Sequence, residues 1–374
     1  MNVGSVLTKY YESERLCTRG KNKPNLSLPK GDQTRSEAEI PTGELLGILK
    51  PGTNQTQRLS KLFLFFTFLG ASYNLAMQNW TIQKLLNWIT KHFTEKGVDS
   101  PRLSAELLLS HVVGLKRIEL YTQFDKVIAK EQLDRLHELV KKASQNEPIA
   151  YLTGKTEFYS LELDITPDCM IPRPETELLV ERAIEFLRTR TGKQLICDLC
   201  TGSGCIAVAI ARNYPDCRII ATDISAAALK TAAKNIEKYQ LKDRIKLLCG
   251  DLFDPIMPKL DVDRFDLIVC NPPYVSTSEF EGLGKNVKDY EPKSALLAGA
   301  DGLDIYHRII EKVDQFLKPN AELMLEIGYS QGQAVRKLLE QAGCFSEITI
   351  EKDFHDNDRM AMAKKQKSGS GVKN

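Results

Sequence analysis

Apolar residues beyond Thr81 recur as Ile82, Leu85, Leu86, Ile89 and Phe93, the spacing of one face of a helix, and Gly97 closes the pattern. Ser100-Pro101 reads as an N-cap followed by proline at the first helical position, opening "RLSAELLLSHVV" as far as Gly114. A third stripe carries Leu133, Leu136, Leu139 and Val140. Residues 77–146 are therefore expected to form a small all-α helical bundle, in which no residue carries chemistry on its own. The period drops to two in "TEFYSLELDI", where apolar and polar positions alternate from Phe158 to Ile165, as in a hairpin. Residues 147–175 form this linker, which leads into "IPRPETELLVERAIEFL". There Glu175 or Thr176 opens a helix with Leu178, Leu179, Ala183 and Leu187 inside.

From Gln194 the pattern becomes strand-helix repeats. "QLICDLC", "CRIIATD", "RIKLLCG", "RFDLIVC", "AELMLEIG", "FSEITIE" and "RMAMAKK" are short, mostly apolar runs, with helices such as "SAAALKTAAKNIEKY" and "QGQAVRKLLEQAG" between them. Such alternation predicts an α/β domain over residues 176–365, a parallel sheet covered by helices on both faces. Ligands of these sheets bind beyond the carboxyl ends of the strands.

The two ends of the chain differ from this. Residues 1–57 are rich in Lys, Gly, Asn, Thr and Pro without periodicity, the composition of a disordered segment. The apolar run that follows, from Leu62 to about Leu69, is shorter than the roughly 20 apolar residues that span a bilayer. It lies too far from the start for a signal peptide. Met77 opens the periodic pattern, so residues 1–76 read as a disordered or spurious extension and Met77 as the start of the folded protein. Residues 366–374 read as a flexible tail.

Of the 374 residues, 51 are Lys or Arg and 49 Asp or Glu, so no overall field favours nucleic acid or a membrane. The nine cysteines are scattered without a pairing pattern, as free thiols in a reducing compartment, which places the protein in the cytoplasm. Three of them crowd "CDLCTGSGC", Cys197 to Cys205. A structural zinc site takes four ligands, and Cys197 and Cys200 have no second pair to join them, so no metal is expected. The glycines explain more. Gly202 and Gly204 permit a tight turn between a strand and "CIAVAIARNY", with backbone N–H groups facing a ligand. Asp223 ends the next strand, where a carboxylate accepts ribose hydroxyl protons. In "GDLF" Asp251 is placed to bond an adenine amine, with Leu252 or Phe253 packed on the ring. The fourth strand ends in Asn271-Pro272-Pro273-Tyr274. Two prolines fix the backbone and remove two donors, leaving carbonyls and the Asn271 side-chain oxygen to accept from a planar –NH2 group, with Tyr274 offering a flat face.

With these motifs in order, the chain resembles the S-adenosylmethionine-dependent methyltransferases with a Rossmann-like seven-stranded sheet, and more narrowly the HemK-type peptide chain release factor glutamine methyltransferases. The resemblance runs from Met77 to about Lys365. It rests on "EPIAYLTGKTEFYSLELDI", "IPRPETELLVE", "DLCTGSG", and "NPPYV" with "YEPKSALLAGADGLDIY" downstream. It implies transfer of a methyl group from S-adenosylmethionine to the glutamine side chain in the Gly-Gly-Gln loop of class 1 release factors. The donor would lie against Cys200, Thr201, Gly202, Ser203, Gly204, Asp223, Asp251, Leu252 and Asn271. Asn271, Pro272 and Tyr274 would be catalytic, with Pro273 lining the substrate site. The implied protein is a monomer that contacts neither nucleic acid nor membrane stably. Arg173, Glu175 and Glu177 either contact the release factor or form a structural ion-pair and capping cluster. A glutamine of a ribosomal protein and an exocyclic amine of a nucleic-acid base are the alternative acceptors. One position departs from the family, which usually has glycine where this chain has Cys200, and a side chain is thereby added near the amino-acid end of the donor.

Overall fold

The computed structural model describes residues 80–256 and 264–367. The readings of residues 1–76 and of the tail beyond 367 lie outside them. Helix α1 (Ile82–Lys96) opens on Thr81, whose side chain accepts from the Lys84 N–H, and ends at Gly97 in the left-handed conformation. Its buried residues are the five of the apolar stripe. Helix α2 (Pro101–Val113) begins on proline as expected, but Ser100 does not cap it with its side chain. Ser100 lies at φ 44°, and Ser104 turns back instead, its hydroxyl donating to the Asp99 carbonyl at 2.8 Å. Helices α3 (Arg117–Thr122), α4 (Lys130–Ala143) and α5 (Ile149–Thr153) complete this part. The short α3 and α5 escape a periodicity reading because five or six residues hold too little of a pattern.

Strands β1 (Lys155–Phe158) and β2 (Leu161–Asp164) pair antiparallel, with Phe158 opposite Leu161. Helix α6 (Thr176–Arg188) follows. The remaining strands are β3 (Gln194–Leu199), β4 (Cys217–Asp223), β5 (Ile245–Cys249), β6 (Phe265–Cys270), β7 (Leu317–Glu326), β8 (Phe345–Lys352) and β9 (Asp358–Lys365). They form one sheet in the order β5-β4-β3-β6-β7-β9-β8. It is mixed, not wholly parallel, because β9 runs antiparallel to both β7 and β8. Only five residues join β8 to β9, too few for the crossover of a dozen or more that a parallel pair requires. Strand β7 also starts earlier than "AELMLEIG", at Leu317, with an irregular register against β6 before Leu267.

Helices α7 (Cys205–Asn213) and α8 (Ala226–Lys238) pack with α6 on one face of the sheet. After the short α9 (Thr277–Glu281) and α10 (Lys285–Lys288), α11 (Asp304–Val313) and α12 (Gly332–Gln341) cover the other. Every β3 and β6 residue but Leu195 is buried, as strands covered on both sides should be. Among the described residues no helix is long and apolar enough to cross a membrane.

One buried side chain ties three parts of the molecule together. Asn235 of α8 accepts from the Asp164 N–H at 2.7 Å and donates to the carbonyls of Asp164 and Ser203, both at 2.9 Å. The hairpin and the glycine loop after β3 are thus fastened to the same helix. Replacing Asn235 with Ala strands buried backbone groups, each costing about 1–3 kcal/mol, so urea unfolding of Asn235→Ala should show a stability loss of at least about 2 kcal/mol.

Candidate active site

The carboxyl ends of β3, β4, β5 and β6 carry the four motifs singled out in the sequence, side by side. The loop after β3 is held by its neighbour, with the Thr201 N–H donating to the Thr222 carbonyl at 2.9 Å and Gly204 N–H to the Thr201 carbonyl at 2.8 Å. Gly204 sits at φ 78°, and a Cβ there would press on Ala232 at 3.2 Å, so this turn and this helix contact call for glycine.

Asp223 ends β4. Its Oδ2 accepts from the Gly202 N–H and its Oδ1 from the Ser225 N–H, both at 2.8 Å. Burial raises its proton affinity and the two backbone donors oppose that. The cap of α8 is a different residue, Ser225, whose side chain accepts from the Ala228 N–H. Asp223 therefore braces the glycine loop while keeping lone pairs for a ligand.

Asp198, given no role in the sequence, is wholly buried near the end of β3. Its Oδ2 accepts from the Thr201 hydroxyl at 2.5 Å, while Oδ1 has no hydrogen-bond partner. Burial pushes its carboxyl up to about 7, with the nearby Asp223 charge adding to the rise. A buried carboxylate with an unused oxygen is suited to an ammonium group. Ser203 offers a second buried, unpartnered oxygen in the same loop. These groups fit the amino-acid end of S-adenosylmethionine, and Asp223 fits its ribose. The signal for Asp198 was an acid inside the otherwise apolar "LICDL".

Around β5 the structure takes one of the two ring-packing candidates into the core and gives Asp251 a side-chain partner. Phe253 is fully buried and stacks on Phe316 with ring centroids 4.2 Å apart, so it belongs to the core and not to a ring-binding face. Asp251 forms an ion pair with Arg308, so an adenine amine would share it. Leu252 is buried at φ 46°. Cys200 adopts φ 57° and packs against the cluster that includes Cys197 and Cys270. The left-handed backbone explains why glycine suits this position.

Asn271, Pro272, Pro273 and Tyr274 leave β6 beside this loop, since Leu199 and Cys270 are register partners. The Tyr274 carbonyl is not free, as expected of the segment, but accepts from Gln331 Nε2 at 2.9 Å. Gly302 passes so close that a Cβ there would lie 2.3 Å from that carbonyl oxygen. Asn271 Nδ2 donates to the buried Thr176 hydroxyl at 3.1 Å. The Tyr274 hydroxyl donates to Glu326 Oε1 at 3.3 Å. Sequence reasoning assigns no role to Gln331 or Glu326, and names Thr176 only as a possible helix start. Arg173 pairs with Glu291 at 2.5 Å, and Glu177 accepts from the Tyr159 N–H at 2.8 Å. Of the two readings of that cluster, the structure thus displays structural contacts for these two residues.

A mostly parallel seven-stranded sheet with a glycine loop, an acid after the second strand and Asn-Pro-Pro-Tyr after the fourth defines an S-adenosylmethionine-dependent methyltransferase. Comparison with known proteins narrows the class. Residues 84–154 match the family described as PrmC N-terminal domain, and residues 175–285 the methyltransferase small domain. The release factor glutamine methyltransferase of Rhodopirellula baltica is 42% identical over 289 residues, 76% of this chain and 97% of the relative. That of Geobacter sulfurreducens is 40% identical over 281 residues, 75% of this chain and 95% of the relative. The chain belongs to the release factor glutamine methyltransferase family.

Two outcomes follow from the donor side. Asp223→Ala should weaken S-adenosylmethionine binding by about 1.5–3 kcal/mol, the scale of hydrogen bonds to a charged group, as read by calorimetry. Cys200→Gly relieves a left-handed residue costing about 1–2 kcal/mol, offset in part by glycine's chain entropy of about 0.5–1 kcal/mol. Thermal unfolding should show equal or slightly higher stability, and donor binding at least as tight.

Proposed function

We propose that this protein methylates the side-chain amide nitrogen of the glutamine in the Gly-Gly-Gln motif of class 1 peptide chain release factors, acting as a cytoplasmic monomer without stable contacts to nucleic acid. The observation that carries the reading is the Asn271 amide at the end of β6, tethered through its nitrogen to Thr176 so that its oxygen turns the other way, beside the braced glycine loop.

S-adenosylmethionine supplies a methyl group activated on a sulfonium. An amide nitrogen is a weak nucleophile because its lone pair is delocalised into the carbonyl. Asn271 Oδ1 and the Pro272 carbonyl would accept hydrogen bonds from the two amide N–H groups, hold the nitrogen in line with the donor and favour its pyramidalisation; as the N–CH3 bond forms and the sulfonium–CH3 bond breaks, one of those protons would leave to solvent. Tyr274 packs against the glutamine side chain. The work is positioning and electrostatics, for which rigid acceptors are suited. The prolines supply that rigidity, and Gln331 and Gly302 fix the loop from behind.

The helical region adjoins this site through the Tyr290 hydroxyl, which donates to the Gln145 carbonyl at 3.0 Å, and through the Tyr151 hydroxyl, which donates to the Cys169 carbonyl at 2.8 Å. This adjacency supports the reading that the helical region docks the release factor.

Incubation with labelled donor should transfer label to a purified class 1 release factor and not to one whose Gly-Gly-Gln glutamine is replaced. Label on a ribosomal protein or a nucleic-acid base instead would overturn the substrate assignment. Asn271→Ala should lower kcat by about a hundredfold or more, the cost of a misplaced reacting group, with donor affinity nearly intact. Asn271→Asp retains an acceptor oxygen and should keep a measurable fraction of the rate. Near-parental turnover in both variants would refute the role of Asn271.

A further inference from the structure

Glu326 ends β7 and is 2% exposed, a carboxyl group that the reaction as described leaves unused. Its Oε1 accepts from the Tyr274 hydroxyl, and its Oε2 is buried without a hydrogen-bond partner. A buried carboxylate oxygen left idle is costly and calls for a donor. Thr176 is the hydroxyl that most opposes protonation of this carboxyl. The same Thr176 oxygen receives the Asn271 Nδ2 hydrogen. A hydroxyl has one proton to give, so whichever neighbour takes it determines what the oxygen offers the other.

We propose that Glu326 is a positioning residue that sets the polarity of a hydrogen-bond chain running through Thr176 to Asn271, so that Asn271 presents its oxygen, and not its –NH2, to the substrate amide. A charged Glu326 can only accept, so it takes the Thr176 proton. Thr176 must then accept, and the only group of Asn271 that can donate to it is Nδ2. The side-chain amide is planar, so Oδ1 faces the opposite way. Reversing the chain would turn an –NH2 group toward the –NH2 group of the substrate, where donor meets donor. The same carboxylate holds the Tyr274 hydroxyl, so both arms of the acceptor pocket take their orientation from one charge.

The groups around Glu326 are Glu175 just before α6, Thr176 of α6, Cys205 of α7, Tyr274, Tyr306 of α11 and Arg359 of β9. Burial pushes the carboxyl up to about 7, against the pull of Thr176, Arg359 and Tyr274. The sign for turnover follows. Above that value Glu326 is charged and the chain has the productive polarity. As pH falls through it, Glu326 gains a proton and can donate to Thr176, and kcat declines while donor binding does not.

The inference rests on the reading of Asn271 as acceptor of the amide proton, and the test separates the two. The intact protein and its Thr176→Val, Thr176→Ser, Glu326→Gln and Asn271→Ala variants are compared on a class 1 release factor, with thermal unfolding as a check on folding. Thr176→Val keeps the shape, loses the hydroxyl, and should lower kcat about a hundredfold, the scale of a misplaced reacting group, with KM for the donor unchanged. Thr176→Ser restores the hydroxyl and should recover most of the rate. Glu326→Gln should be slow at every pH and lack the acid limb of the parent profile. If Thr176→Val turns over at the parental kcat while Asn271→Ala is inactive, this inference falls and the reading beneath it stands. The inference also falls if Glu326→Gln, folded like the parent, keeps the parental rate and acid limb. An active Asn271→Ala removes both.

Discussion

A loop with two prolines has lost two of the backbone donors that would hold it in place, and the acceptor loop of this protein is therefore fixed from outside. Gln331 is the main instrument. Its Nε2 donates to the carbonyls of Tyr274 and Gly302, at 2.9 and 3.3 Å, and its Oε1 accepts from the Gly328 N–H at 2.9 Å. One amide side chain thus joins the loop after β6, the turn before α11 and the end of β7. Val275 adds backbone bonds, donating to the Leu296 carbonyl at 2.8 Å and accepting from the Ala298 N–H at 3.0 Å. The segment "YEPKSALLAGADGLDIY" is accordingly a brace for the Asn-Pro-Pro-Tyr loop. Glu291 within it binds Arg173, so the brace is also tied to "IPRPETE".

The donor side rests on a different device. Asp223 accepts one hydrogen bond at each oxygen from the loops around it, which leaves further lone pairs uncommitted. Asp198 and Ser203 keep buried oxygens without partners. Such atoms destabilise the free protein and are satisfied by a bound polar group, which links ligand affinity to folding stability. A folded scaffold tolerates this cost at a site of function, where local rules of polar satisfaction are commonly broken.

The helical stripes and the buried strands were legible because burial on one face, or on two, imposes a period on neighbouring residues. So were the strand-end motifs, whose residue types are unusual where they stand. The direction of β9 was not read, although the five-residue link from Lys352 to Asp358 contained the information. The choice between Leu252 and Phe253 stayed open in the sequence because an aromatic residue next to a ligand loop looks the same whether it faces the ligand or, as here, Phe316. Gln331 and Glu326 left no local pattern, and Thr176 showed only as a helix start, not as a partner of Asn271. Thr176 lies 95 positions from Asn271, and Gln331 lies 57 from Tyr274. Contacts over such separations are created by topology, and a single sequence carries no period that reports them.

Methyl transfer demands that a donor and an acceptor meet with little freedom between them, and the sheet meets that demand before either ligand arrives. The donor loop leaves β3 and the acceptor loop leaves β6, adjacent parallel strands in which Leu199 stands opposite Cys270. Neighbouring strands lie about 4.8 Å apart, so the two loops start from points whose separation is set by backbone hydrogen bonds in the middle of the core. Both strands are sealed by helices on either side. The relative placement of the two half-sites is therefore as rigid as the fold itself. What is left to the loops is orientation, and each is oriented by a buried carboxyl: Asp198 holds the Thr201 hydroxyl of the donor loop, and Glu326 holds the Tyr274 hydroxyl of the acceptor loop. Cys200 fits this division. Its backbone is left-handed and its side chain packs against the cluster that includes Cys197 and Cys270, under the two loops.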